Sequence, residues 1–263
     1  MKEPAGPGSI VVGIDGSKSA MRAALWAVDE AVSRDVPLRL VSAIERGDRT
    51  AARRTAETAL GRVAAAIEAT GRPVKIESEI AVGTPIASLL RASGSAAMVC
   101  VGAIGMRHFQ RGRVGSTATA LATSARCLVA IVRGEDCREP AQRIVVALDG
   151  APDDGALLDI AMKEAQLRNA AVRAIVGPRP ISDLERRRAC LNRRYPGVEV
   201  QLMAVRGGLA DYLADNHASG GWVPGLVIVG ARNRQLEELV GPIGSAILQG
   251  ADCSFLIANR QHL

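Results

Sequence analysis

The stretch Ile10–Ser17, IVVGIDGS, decides the fold, because it returns as Arg143–Gly150, RIVVALDG. In both, a short β-branched run ends in Asp-Gly: Asp15-Gly16 first, Asp149-Gly150 second. Three more landmarks return in the same order. Met98–Gly102 (MVCVG) returns as Leu226–Gly230 (LVIVG), Gly115-Ser116 as Gly244-Ser245, and Cys127–Val132 (CLVAIV) as Cys253–Ala258. Asp149 follows Asp15 by 134 residues, Gly230 follows Gly102 by 128, Ser245 follows Ser116 by 129 and Cys253 follows Cys127 by 126. A period this long, met four times in order, marks a duplicated domain and not a short solenoid repeat. Each copy has an ordinary domain size. The expected domains are 1–135 and 143–263, with the charged, Pro-containing Gly134–Gln142 as linker.

Within the first copy, strand and helix signals alternate. Expected strands are Ser9–Ile14, Pro37–Ile44, Val74–Ile80, Ala96–Val101 and Cys127–Val132. Expected helices are Ala20–Ser33, Thr50–Thr70 closed by Gly71, Thr84–Ser93 with Pro85 in its first turn, and Ser116–Ser124. Val74–Ile80 alternates apolar and polar residues and reads as an edge strand. Alternation of this kind implies right-handed βαβ crossovers and a parallel sheet. The fold class is therefore α/β, as two tandem Rossmann-like domains. A ligand in such a sheet sits outside the carboxyl ends of the strands, where strand order reverses.

Composition narrows the field. The chain is 48% hydrophobic but only 2% aromatic, so its cores are aliphatic. No apolar run reaches the roughly 18 residues of a membrane span, and Met1–Ser9 has no signal-peptide core. A cytoplasmic protein is expected. Net charge is +6, yet the basic residues are spread over helices with no aromatics interleaved for base stacking, which disfavours nucleic acid. The five cysteines form no CxxC pair and the three histidines have no ligand spacing. Cys100, Cys127 and Cys253 read as small buried hydrophobes, and no metal site is expected.

The chemistry lies after the fourth strand. Gly102-Ala-Ile-Gly105 is followed by nine residues and then Gly115-Ser116-Thr117, which opens a helix. Glycines permit close backbone approach or positive φ. Free N–H groups and the dipole at a helix start favour an anion. Ser116 and Thr117 add hydroxyl donors. Arg107, Arg111 and Arg113 either neutralise phosphate charge or solvate the loop. Asp15, after the first strand, either accepts hydrogen bonds from a ribose or base or caps the helix that follows. No GxxxxGK[ST] and no GxGxxG after the first strand is present, which argues against a Walker loop and an ordinary dinucleotide fold.

With these residues in view, the chain resembles the universal stress protein family in its tandem-domain, actinobacterial form. The resemblance rests on VVGIDGS (Val11–Ser17), VGAIG (Val101–Gly105), GST (Gly115–Thr117) and CLVAIV (Cys127–Val132), and the two copies span essentially the whole chain. It implies an adenine nucleotide α-hydrolase-like sheet of order 3-2-1-4-5 in each copy. It implies ATP, alone or with Mg²⁺, in the first crevice. Asp15 and the end of the second strand near Ala43 would face adenine and ribose. Gly102, Gly105, Gly115, Ser116 and Thr117 would face ribose and phosphates, and Gly13, Ile14 and Val101 belong to the same set. It also implies pairing through the last strands, as a homodimer or as a pseudo-dimer inside one chain.

Departures matter mainly in the second copy. It keeps Asp149, Gly230, Gly244 and Ser245 as a weaker candidate set. Asn233 replaces the middle glycine, the spacing from Gly230 to Gly244 is 14 against 13 from Gly102 to Gly115, and Pro242, Glu237 and Glu238 enter the loop. Acidic groups beside a triphosphate are unfavourable, so this copy is expected to bind ATP weakly or not at all. In the first copy Ile104 stands where many members of that family have His. No catalytic residue is expected. The leading reading is an ATP-binding stress-response regulator without firm enzymatic activity. The alternatives are a slow ATPase, a binder of another adenine nucleotide such as cAMP, and a nucleotide-free interaction module.

Overall fold

A computed structural model describes residues 8–45, 49–103, 115–133, 143–177, 182–205, 208–218, 224–231 and 253–259. The chain divides into two compact units, Met1–Arg133 and Gly134–Leu263.

In the first unit the strands are β1 (Ile10–Gly13), β2 (Leu38–Ile44), β3 (Ile76–Val82), β4 (Met98–Gly102) and β5 (Leu128–Val132). The helices are α1 (Lys18–Arg34), α2 (Arg49–Glu68), α3 (Pro85–Ala92) and α4 (Ser116–Ser124). Strand order is β3-β2-β1-β4-β5, all parallel. Ile10 of β1 sits between Leu38 of β2 and Met98 of β4, which sets the register at the sheet's centre. Strands covered on both faces should be continuous apolar runs, and Ile10, Val11, Val12, Met98, Val99 and Cys100 are all fully buried. β3 is the outer strand and stays half-exposed, as its alternating sequence requires.

α1 packs over β1 and β4 with α2 beside it, whereas α3 packs with α4. The chain moves outward from β1 through β2 to β3, then crosses back to β4. Strand order therefore reverses between β1 and β4, where a crevice is expected.

The second unit repeats the plan. Its strands are β6 (Arg143–Leu148), β7 (Ala171–Val176), β8 (Val200–Ala204), β9 (Leu226–Gly230) and β10 (Ser254–Ala258), with helices α5 (Asp154–Arg168), α6 (Ser182–Arg194) and α7 (Leu209–Ala218) among the described residues. Order within the unit is β8-β7-β6-β9-β10, again parallel.

The duplication reaches details that the landmark residues did not reveal. Buried Glu30 pairs with Arg34 on α1, and buried Glu164 pairs with Arg168 on α5, both at the same offset of 134. One residue after each arginine the chain turns left-handed, at Asp35 (φ 52°) and Asn169 (φ 50°). Each turn donates its N–H back into the last turn of its helix. Asn and Asp tolerate this conformation better than other non-glycine residues.

Candidate nucleotide site

At the end of β1, the Ile14 N–H donates to Val41 O at 2.8 Å, holding the strand against β2 for one more residue. The chain then turns sharply. Gly16 has φ +85°, a conformation that favours glycine. Asp15 Oδ1 accepts from the Ser17 N–H at 2.9 Å, and Ser17 Oγ accepts from the Ala20 N–H at 3.0 Å. Ser17, not Asp15, is thus the N-cap of α1, and Asp15 shapes the turn that delivers it. The second unit repeats this: Asp149 Oδ1 accepts from the Ala151 N–H at 3.0 Å, and Gly150 has φ +82°.

At the end of β4, the Ala103 N–H donates to Val132 O at 3.0 Å, and Ala103 O accepts from the Gly115 N–H at 2.9 Å. That bond draws the start of α4 back to the tip of β4. Gly102 also lies against α1: a Cβ there would fall 2.4 Å from Ser19 Oγ and 2.6 Å from the Ser19 carbonyl carbon. The two turns are therefore neighbours, joined through Ser19 and Ala103.

The helix starts differ in one respect. α1 is capped by Ser17, and α3 by Thr84, whose Oγ1 accepts from the Ala87 N–H at 3.3 Å. α4 begins at Gly115, which supplies no capping side chain. The first N–H groups of any helix lack intrahelical acceptors, and Gly115 has no side chain to supply one to α4. Ser116 is exposed and Thr117 half-exposed beside them.

The structure gives two of the glycines a local setting. Gly115 has φ −63°, ψ 152°, extended backbone open to any residue, so it is not held by positive φ. Gly102 is fitted to α1's first turn, the close helix–strand contact that a side chain would prevent.

The other expected positions fall as follows. Ala43 is half-buried near the carboxyl end of β2, paired with Ala81. Ile14 and Val101 are 3% and 5% exposed, so their side chains belong to the core. A Cβ on Gly13 would meet Leu89 Cδ1 at 2.8 Å, on the α3 side of the sheet. Asp15 is exposed. Gly105, Arg107, Arg111 and Arg113 lie outside the described residues, as do Asn233, Glu237, Glu238, Pro242, Gly244 and Ser245.

Sequence reading missed three participants. Ser19 buttresses Gly102. Gly83, at φ +144°, donates its N–H to Ile44 O at 2.9 Å and so sets the β3–α3 turn beside Ala43. Asp154 in the second unit is the third. It stands 134 residues after buried Ala20 and is itself 4% exposed. Its Oδ2 accepts from the Gly150 N–H at 2.9 Å, and its Oδ1 is buried with no hydrogen-bond partner. Burial foremost, then the charges of Asp149 and Asp153, holds its carboxyl above the usual range against the opposing Gly150 bond.

The cysteines behave as expected: Cys100, Cys127 and Cys253 are buried, and burial pushes the Cys127 thiol up to about 12. Among the described residues no three metal-ligating side chains cluster, and no helix is long and apolar enough to cross a membrane.

These features define a doubly wound α/β protein whose first sheet reverses strand order between β1 and β4. Residues 8–133 match the model of the universal stress protein family. One universal stress protein of Mycobacterium tuberculosis is 49% identical, covering 98% of both chains, and another is 41% identical over 96% of both. The chain belongs to the universal stress protein family. The crystal structure of a universal stress protein from Archaeoglobus fulgidus superposes with a TM-score of 0.74 over 96% of both chains, at 17% identity, and so shares the fold.

Proposed function

We propose that the first unit binds ATP and that occupancy, not catalysis, is its output. The observation that carries this is the open start of α4. Helices α1 and α3 close their N-termini with N-cap side chains, whereas α4 has a glycine at its N-cap and two hydroxyls, Ser116 and Thr117, beside the β1–β4 switch point. A phosphate at that position would satisfy the N–H groups and the helix dipole together. Gly16 and Ala43 border the same end of the sheet, where the sugar and base would lie. The described residues supply Asp15 as the only carboxylate in the β1–α1 turn, and its Oδ1 is engaged there. Nothing in that arrangement orients a water for attack, so the reading is a sensor and not an ATPase.

The second unit is proposed as a nucleotide-free partner. Its β6–α5 turn reads Asp149, Asp153, Asp154 where the first unit has Asp15, Ser19, Ala20. Carboxylates at a helix start compete with phosphate for the same donors.

Calorimetric titration of ATP into nucleotide-free protein tests both statements. One site per chain, with AMP and cAMP weaker, is the expected result. Two sites would overturn the reading of the second unit. No binding would overturn that of the first, and steady phosphate release would reopen the ATPase.

A further inference from the structure

One cleft of the first unit shares Gly16 with the proposed nucleotide site but is otherwise unused by it. It lies between the first turns of α1 and the middle of α2 and has a volume of about 220 Å³. Met21, Ala59 and Val63 form its floor, and Lys18, Arg22 and Arg62 stand around it. Lys18 and Arg62 are exposed.

The fold does not require this arrangement. At the offset of 134 that preserves the Glu30–Arg34 pair and the left-handed cap, Lys18, Met21 and Arg22 become Pro152, Gly155 and Ala156. The second unit forms the same helix without the cations or the methionine. Electrostatics speak against Lys18 as a structural residue. The first turn of α1 carries Lys18 and no acidic residue. A cation at the positive end of the helix dipole is unfavourable, and an anion seated there would reverse the sign of that term.

We infer that this cleft binds a small anionic amphiphile, a carboxylate or phosphate monoester carrying a short apolar chain. The head lies among Lys18, Arg22 and Arg62, and the chain lies on Met21, Ala59 and Val63. The floor carries no aromatic ring for a base to stack on, which sets this ligand apart from a nucleotide. Methionine adapts to chains of differing shape. Along α1 the cleft extends only from its N-cap Ser17 to Arg22, too short for a partner helix and suited to a chain of up to about eight carbons.

The probe is octyl phosphate, kept below its micelle concentration and titrated into the nucleotide-free full chain. Methionine methyl groups carry ¹³C, and the Met21 resonance is assigned through Met21→Leu. Saturable binding should shift Met21 and leave Met98, fully buried in β4, unmoved. Octanoate should shift the same resonance, and the tighter of the two probes identifies the head group. Octanol and inorganic phosphate alone should each bind at least about tenfold more weakly, since each lacks one half of the recognition. Lys18→Gln with Arg62→Gln should weaken octyl phosphate by about tenfold with thermal unfolding unchanged. Octanol binding as tightly as octyl phosphate would overturn the inference. So would an unmoved Met21 under saturation, or undiminished binding to the double variant. The ATP titration is a separate measurement, so either site can fail without the other.

Discussion

Gly102→Ala separates two reasons for a glycine at the end of β4. If the residue is small to admit a phosphate, the variant folds normally and binds ATP poorly. If it is small to admit α1, the variant is unstable before any ligand arrives. The geometry favours the second. The new Cβ would lie 2.4 Å from Ser19 Oγ, 2.6 Å from the Ser19 carbonyl carbon and 2.7 Å from Ser19 Cβ. A rotamer change can move only the first of these atoms, so the first turn of α1 itself must shift. Overpacking of this kind costs about 1–3 kcal/mol, and the backbone clash puts Gly102→Ala toward the upper end. At about 2–4 °C per kcal/mol for a chain of this size, melting should fall by about 4–10 °C. The second unit supplies the control. A Cβ on Gly230 would meet Leu157 Cδ1 at 3.5 Å, an ordinary contact, so Gly230→Ala should change melting little. Differential scanning calorimetry of both variants, without nucleotide, makes the comparison. Equal losses, or an unchanged melting temperature for Gly102→Ala, would refute the packing argument and return Gly102 to the ligand.

Gly115→Ala should leave folding intact, because φ −63° suits alanine, while weakening ATP in the calorimetric titration by about tenfold or more through obstruction at the start of α4. Asp154→Asn should raise stability at neutral pH by about 1 kcal/mol, since it removes the buried charge while its amide oxygen can still accept from the Gly150 N–H. The sign follows from a folded-state pKa above that of a free aspartate: in acid the carboxyl is neutral folded or unfolded, and above the folded pKa burial penalises the charge in full. The gain in melting temperature should therefore be absent in acid and grow as pH rises toward neutrality. Arg168→Met should cost about 3 kcal/mol by chemical denaturation, because it takes the guanidinium from the buried carboxylate of Glu164; Arg34→Met should cost less, as the Arg34 side chain is 27% exposed against 8% for Arg168.

Much of this fold was legible because parallel strands buried on both faces leave continuous aliphatic runs, as at Ile10–Gly13 and Met98–Gly102. Boundaries moved where local hydrogen bonding decided them. α1 starts at Lys18, two residues before its apolar pattern begins, because Ser17 caps it. The outer strand β3 starts at Ile76, not Val74, since pairing with Leu38 of β2 sets its beginning. The glycine spacing marked the ends of β4 and α4 but not the reason for each glycine. The need at Gly102 arises from Ser19, more than eighty positions away in sequence and adjacent only after folding. Asp154 was visible in principle. Aligning the copies by Asp15 and Asp149 sets it opposite Ala20, yet its burial, which gives the pairing meaning, exists only in the folded unit.

Because the two copies share a fold, what they have in common cannot by itself point to nucleotide. Asp15 is such a case. Its carboxylate holds the Ser17 N–H, and Asp149 does the same for Ala151 in a unit read as nucleotide-free. Asp15→Ala would therefore confound two losses, a turn bond worth about 0.5–1.5 kcal/mol and any contact with a ribose. Asp15→Asn is the cleaner change, for the amide oxygen can still accept from Ser17 while the charge and one acceptor are gone. If Asp15 also serves the ligand, Asp15→Asn should keep its melting temperature and lose several-fold in ATP affinity, and Asp149→Asn should alter neither. Wild-type affinity in a folded Asp15→Asn would reduce Asp15 to a turn residue, and the case for nucleotide would then rest on Gly115, Ser116 and Thr117 alone.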